Sequence, residues 1–166
     1  VQSAIYLVGH AYGPHGETNI PYEPLKNFLE KNKSDYLIFL GDVTENSSDF
    51  EKFNNTFKNK KKKYVRGNHD GDLYKKIDQW KDLKLNNFHF INLDMNSDMV
   101  FDENLLNQNN KIFLTHHTFF NKVFQKISPS NFMQNSGTSI KNLVRGKDNY
   151  FISGDCGAYE LGYSYI

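Results

Sequence analysis

The feature that most constrains this chain is an alternation of two kinds of segment. Short runs of β-branched and aromatic residues recur at Ala4–Val8, Tyr36–Leu40, Tyr64–Arg66, Phe88–Leu93, Ile112–Thr115, Tyr150–Ile152 and Tyr163–Ile166, and such runs read as strands. Between them lie segments with helical spacing: Tyr22–Lys31, Asp49–Lys60, Asp72–Leu83, Glu103–Gln108 and Phe119–Lys126. Leu25, Phe28 and Leu29 repeat at i, i+3, i+4 in the first of these, and Phe50, Phe53 and Phe57 at i, i+3, i+7 in the second. Each helix therefore has one packing stripe. Ser47 or Ser48 is placed to cap the second helix, and Glu51, three residues after Ser48, completes a capping box. An order β-α-β-α-β-α-β specifies an α/β fold with helices covering a sheet, and in such folds ligands sit beyond the C-terminal ends of the strands.

A chain of 166 residues buries enough surface to fold as one domain without disulfides, so residues 1–166 are expected to form a single domain. The 14 Phe and 10 Tyr residues offset an apolar content of only 38%, because each ring buries a large area. A formal charge of +1 supplies no global field for nucleic acid or an anionic membrane, so neither is an expected partner and any anionic ligand must be held locally. The single cysteine, Cys156, excludes an internal disulfide, a thiolate zinc knuckle and a redox pair, and is expected to be a small buried filler. No apolar run approaches the length of a membrane span, and the start of the sequence has no signal-peptide pattern, which favours the cytoplasm while leaving the compartment open. The run Lys60–Lys63 reads as a solvated face near a helix C-terminus. Ser128–Gly146 is a polar stretch long enough to be either a functional loop or a surface insertion.

The strand exits carry the chemistry. They read Gly9-His10-Ala11-Tyr12-Gly13, Gly41-Asp42-Val43-Thr44-Glu45, Gly67-Asn68-His69-Asp70, His116-His117 and Gly154-Asp155-Cys156-Gly157. Glycine beside the polar residue allows a sharp exit, so that side chains from separate loops can converge. A single Asp or His after a strand is usually a hydrogen-bonded turn residue, but five ordered exits bearing oxygen and nitrogen donors form a set suited to zinc, manganese or iron, ions that bind phosphoryl oxygens and acidify water. His15 reads as a surface residue, and His89, alternating between Phe88 and Phe90, as a structural one.

Gly41-Asp42, followed by Gly67-Asn68-His69-Asp70 and then by His116-His117, makes the chain resemble the calcineurin-like metallophosphoesterases. The resemblance spans nearly the whole chain and implies a layered α/β/β/α sandwich with metal ligands on the loops after the strands. It implies that Asp42 bridges two ions, that Asn68 and His116 bind the second ion, and that His69 sits beside the substrate phosphoryl group. Both ends depart from the family pattern. The first motif has His10 and Tyr12 where the family has Asp and His, and the last has Asp155 and Gly157 where it has two histidines. One ion site is thereby reduced to His10, Tyr12, Asp42 and Gly157, whereas Asp42, Asn68, His116 and Asp155 can all still ligate the other. Carboxylate for imidazole at Asp155 favours a harder ion such as manganese or magnesium over zinc. His10 and Asp155 together exchange an Asp and a His between the two ends, which moves ligands around one centre.

The resemblance implies a metal-dependent phosphoester hydrolase with one retained divalent ion (Mn, Fe, Zn or Mg) or two. The ion is held by Asp42, Asn68, His116 and Asp155, with His10 as a further candidate. His69, oriented by Asp70, is the acid or charge stabiliser, and His10 and Tyr12 supply hydrogen-bond donors. A phosphorylated small molecule or a glycan-linked phosphate is the substrate class. The competing reading is a catalytically degenerate module of the same fold that binds a partner or a phosphorylated or glycan ligand. A flavodoxin-like nucleotide binder fits less well, because the first exit lacks the spacing of a phosphate-binding glycine loop.

Overall fold

Tyr36-Leu37-Ile38-Phe39-Leu40 is apolar at every position, a pattern that suits a strand covered on both faces. In the computed structural model, which describes residues 4–14, 16–17, 20–77, 79–93, 109–117 and 148–155, it is the central strand of a parallel sheet. That sheet has the order β1 (Ile5–Val8), β2 (Tyr36–Leu40), β3 (Lys62–Val65), with Val8 beside Phe39 and Leu40 beside Val65. The connections are helical, as parallel neighbours require: α1 (Glu23–Lys31) joins β1 to β2 and α2 (Phe50–Thr56) joins β2 to β3. The chain divides into two compact units, Val1–Gln79 and Trp80–Ile166, and this sheet belongs to the first.

The core of the first unit is largely aromatic, as the composition requires. The Phe39 ring meets Phe53 edge-on at 5.0 Å and stacks on Tyr64 at 5.3 Å, and Phe50 packs edge-on to Tyr64 at 5.5 Å. The stripe Phe50, Phe53, Phe57 is buried as expected. In α1, Leu29 is buried and Leu25 packs against the core, while Phe28 stays half exposed with its ring edge-on to Tyr6. The capping box does not form. Ser47–Asp49 is a 3-10 turn that carries the chain into α2 with Asp49 already in helical conformation, so the extended N-cap geometry that such a box needs is absent. At the other end of α2, Lys62 of the lysine run donates to the Phe57 carbonyl at 2.8 Å, satisfying a helix-terminal acceptor. Partial burial lowers its pKa.

The second unit holds a mixed sheet in the order β4 (Asp82–Leu85), β5 (Phe88–Asn92), β6 (Ile112–His117), β7 (Tyr150–Asp155); β4 and β5 are antiparallel and the other pairs parallel. β4 corrects the helix expected over Asp72–Leu83. The chain makes only a 3-10 stretch at Gly71–Lys76, and although Leu73, Ile77 and Trp80 are all buried, Asp82–Leu85 alternates exposed and half-buried and takes its hydrogen bonds from β5 through a two-residue Asn86-Asn87 turn. Asn86 sits at φ 54°, a conformation asparagine tolerates well. His89 bonds Asp82 across these strands at 3.0 Å, in keeping with a structural role. The strands β6 and β7 run further than expected, because their ladder continues to the pair His117 and Asp155. Among the described residues no helix is long and apolar enough to cross a membrane. The segments expected at Glu103–Gln108, Phe119–Lys126 and Tyr163–Ile166, the stretch Ser128–Gly146, and His15, Cys156 and Gly157 lie outside the described residues.

Candidate metal centre

The first exit is a tight turn. The Gly13 N–H donates to the His10 carbonyl at 3.0 Å, and His10 itself sits at φ 45°. The turn sends Ala11 and Tyr12 into the apolar core, with the Tyr12 ring 5.4 Å from that of His10. His10 remains partly exposed, its Nε2 3.9 Å from Oδ2 of Asp42. Tyr12 is therefore a buried ring in tilted contact with the imidazole.

The second and third exits clasp each other. Asp42 is 1% exposed at the end of β2 and adopts φ 50°, a left-handed conformation that costs a non-glycine residue about 1–3 kcal/mol. Its Oδ1 accepts the His69 N–H at 3.0 Å. In the other direction Asp70, also 1% exposed, accepts the Val43 N–H on Oδ1 at 3.0 Å, and on Oδ2 the N–H groups of Asp42 at 3.0 Å and Gly67 at 2.6 Å. Burial raises the Asp70 pKa; the Gly67 N–H works against that, the Asp42 charge adds to it, and the Val43 and Asp42 N–H groups oppose it. Gly67 leaves room for the clasp, since a Cβ there would collide with Oδ1 and the backbone nitrogen of Asp42. Beyond the clasp, Asn68 and His69 are exposed.

In the second unit the donors sit on the last residues of strands and not on loops. His116, 1% exposed, lies near the end of β6 with Nε2 3.9 Å from Oδ2 of Asp155, the last residue of β7. Both imidazole–carboxylate separations, 3.9 Å, exceed a hydrogen bond. They are close to the spacing of about 3–3.6 Å between two donors sharing an ion bound at about 2.1 Å. Buried carboxylate oxygen and imidazole nitrogen are the donors that a divalent cation such as zinc, manganese or iron takes, so the residues of each unit fit such an ion.

The sequence placed His10, Asp42, Asn68, His69 and Asp70 at strand exits, and the structure groups them within the first unit; it pairs His116 with Asp155 within the second. Two parts of the site had no sequence signal. Gly67 read as a permissive exit residue, whereas its missing side chain makes room for a carboxylate from another loop. Asp70 read as the partner of the adjacent His69, whereas its described bonds all go to main-chain N–H groups, two of them 27 and 28 residues away.

A family model for calcineurin-like phosphoesterases matches residues 14–155. The match starts after the His10 turn and includes Asp42, Asn68, His69, Asp70, His116 and Asp155. Comparison with curated proteins and with solved structures returns no match. A family match over most of the 166 residues is decisive: the chain belongs to the calcineurin-like phosphoesterases, and its fold class is α/β.

Proposed function

We propose that this calcineurin-like phosphoesterase hydrolyses a phosphoester with the aid of one divalent ion, for which Asp42, Asn68, His116 and Asp155 are the ligands and His10 a neighbouring donor. The observation that carries the reading is the Asp42 carboxylate, buried at a strand end with one oxygen held by the His69 N–H and the other facing an imidazole. Membership in the family supports a phosphorylated substrate, and the phosphate of a small molecule is the class we favour. A bound ion supplies Lewis acidity and acidifies a water molecule. The chain's own residues do the rest. His69, exposed beside Asn68, offers a ring nitrogen to hydrogen-bond a phosphoryl oxygen or to protonate the leaving oxygen, and the His10 ring donates where the family places a further ligand. Manganese is the ion of choice, because Asp155 contributes a hard carboxylate. The match running through both units supports their acting as a single domain.

Turnover of a panel of phosphate monoesters, diesters and sugar phosphates, with and without added Mn²⁺, tests the proposal. Metal-dependent turnover that falls about 100-fold or more in His69→Ala is expected. Absence of turnover with every substrate and ion defeats the hydrolase reading. Activity appearing only in His10→Asp, which restores the family's acid without touching the buried Tyr12, would identify a scaffold that has given up hydrolysis and kept ligand binding.

A further inference from the structure

Asp42 adopts a backbone conformation that L-residues avoid, and such conformations persist only where the surroundings over-determine them. The Asp70 carboxylate does this. It accepts the N–H of Asp42 and the N–H of Val43, the two donors that flank the Asp42 Cα, and so fixes both dihedral angles of that residue. Successive N–H groups around a left-handed residue form a concave anion site, and here the anion is a side chain of the same protein. The third bond, from the Gly67 N–H, ties the same carboxylate to the β3 exit, while the His69 N–H returns a bond to Asp42 Oδ1. The two exits thus hold each other through two carboxylates, one buried entirely among main-chain donors and the other presented at the site.

From this geometry we infer that Asp70 is a positioning residue for Asp42: its carboxylate sets the direction of the metal-ligating carboxylate and, through it, the affinity for the ion. The inference rests on the proposed reading of Asp42 as a metal ligand. It differs from an Asp70 that orients the adjacent His69 ring, because the described bonds run to the Asp42 loop and to Gly67.

Asp70→Asn tests it in the full chain. The amide keeps the shape of the carboxylate but presents one oxygen, so at least one of the three N–H groups must face an NH₂ donor. Mn²⁺ affinity by calorimetry is expected to fall about 10-fold or more, the size found when groups that orient metal ligands are removed. Turnover should fall together with bound Mn²⁺ and recover in part as Mn²⁺ is added. Amide hydrogen exchange at Asp42, Val43 and Gly67 should accelerate together. Phe53→Ala, a fully buried core change that removes none of the clasp's hydrogen bonds, should lose stability and keep its Mn²⁺ affinity. Wild-type Mn²⁺ affinity in Asp70→Asn overturns the inference, as does lost turnover with metal affinity unchanged, which would assign Asp70 to the His69 chemistry. If Asp70→Asn fails to fold, exchange in the wild-type chain decides: the three amides must be as protected as those of β2, and exchange at the rate of exposed loops overturns the clasp. Should wild type bind no Mn²⁺, the functional reading fails, while the exchange measurement still judges the clasp.

Discussion

Gly67→Ala isolates the closest approach in the site. Gly67 does not occupy a left-handed conformation, so its backbone would accept alanine without strain and the whole cost is steric. The new Cβ would strike Oδ1 and the backbone nitrogen of Asp42 and would lie 2.9 Å from its Cγ. No flexible side-chain end can swing away, because Asp42 is buried and bonded at both its backbone and its carboxylate. Either the β3 exit moves outward, stretching the 2.6 Å bond from the Gly67 N–H to Asp70, or the Asp42 carboxylate rotates off the His69 N–H. Forced overpacking costs about 1–3 kcal/mol and a lost hydrogen bond to a charged group about 1.5–3 kcal/mol, which together give about 4 kcal/mol. For a chain of this size each kcal/mol moves the melting temperature by about 2–4 °C, so a fall of about 10 °C is expected by calorimetry. Mn²⁺ affinity should drop with it, by about 10-fold or more. A variant that melts within about 2 °C of wild type and binds Mn²⁺ equally well would refute the reasoning, since the clasp would then have slack of a size that close-packed protein interiors do not allow.

The other predictions are smaller in reach. His69→Ala should lose turnover but keep Mn²⁺ affinity within about 2-fold, because the bond to Asp42 Oδ1 comes from the main chain and survives the truncation; a parallel loss of metal would show that the ring itself ligates. Tyr64→Phe removes a hydroxyl that donates to Asn54 Oδ1 at 3.2 Å, and should cost about 1 kcal/mol in a denaturant titration at neutral pH. Burial holds the Tyr64 phenol well above its ordinary pKa, so the native state retains that proton where the unfolded chain has released it. Its contribution is therefore full below about pH 10 and lost as pH rises beyond, and Tyr64→Phe should flatten that alkaline decline; equal slopes would count against it. His89→Gln should lower stability by about 1 kcal/mol or less and leave turnover unchanged, because its partner Asp82 is half exposed and solvent screens the pair.

What the sequence revealed follows from how local each signal is. The continuous apolar run of β2 and the phenylalanine stripe of α2 state their burial within a few residues, and both are buried as read. β4 was not legible in the same way. Leu73, Ile77 and Trp80 have the spacing of a helix stripe and are indeed buried, yet the conformation over Asp82–Leu85 is settled by hydrogen bonds to β5, a partner that the segment does not encode. The ends of β6 and β7 were read a few residues short for a related reason: polar residues such as His116 and Asp155 look like loop residues until the neighbouring strand pairs with them.

The site divides along the same line. Donor side chains at strand exits are visible as letters, whereas main-chain donors are not, and the second and third exits depend on four main-chain N–H groups: those of Asp42, Val43, Gly67 and His69. That dependence explains how two acids can lie buried side by side. Three of the four N–H groups go to Asp70, which offsets the cost of burying it and makes it part of the scaffold. The fourth goes to Asp42, whose other oxygen faces His10. Identical residue types at two neighbouring strand exits thus have different assignments: Asp70, whose carboxylate is held by main-chain donors, shapes the loops, and Asp42, with one oxygen turned toward an imidazole, is the one placed to attract a cation.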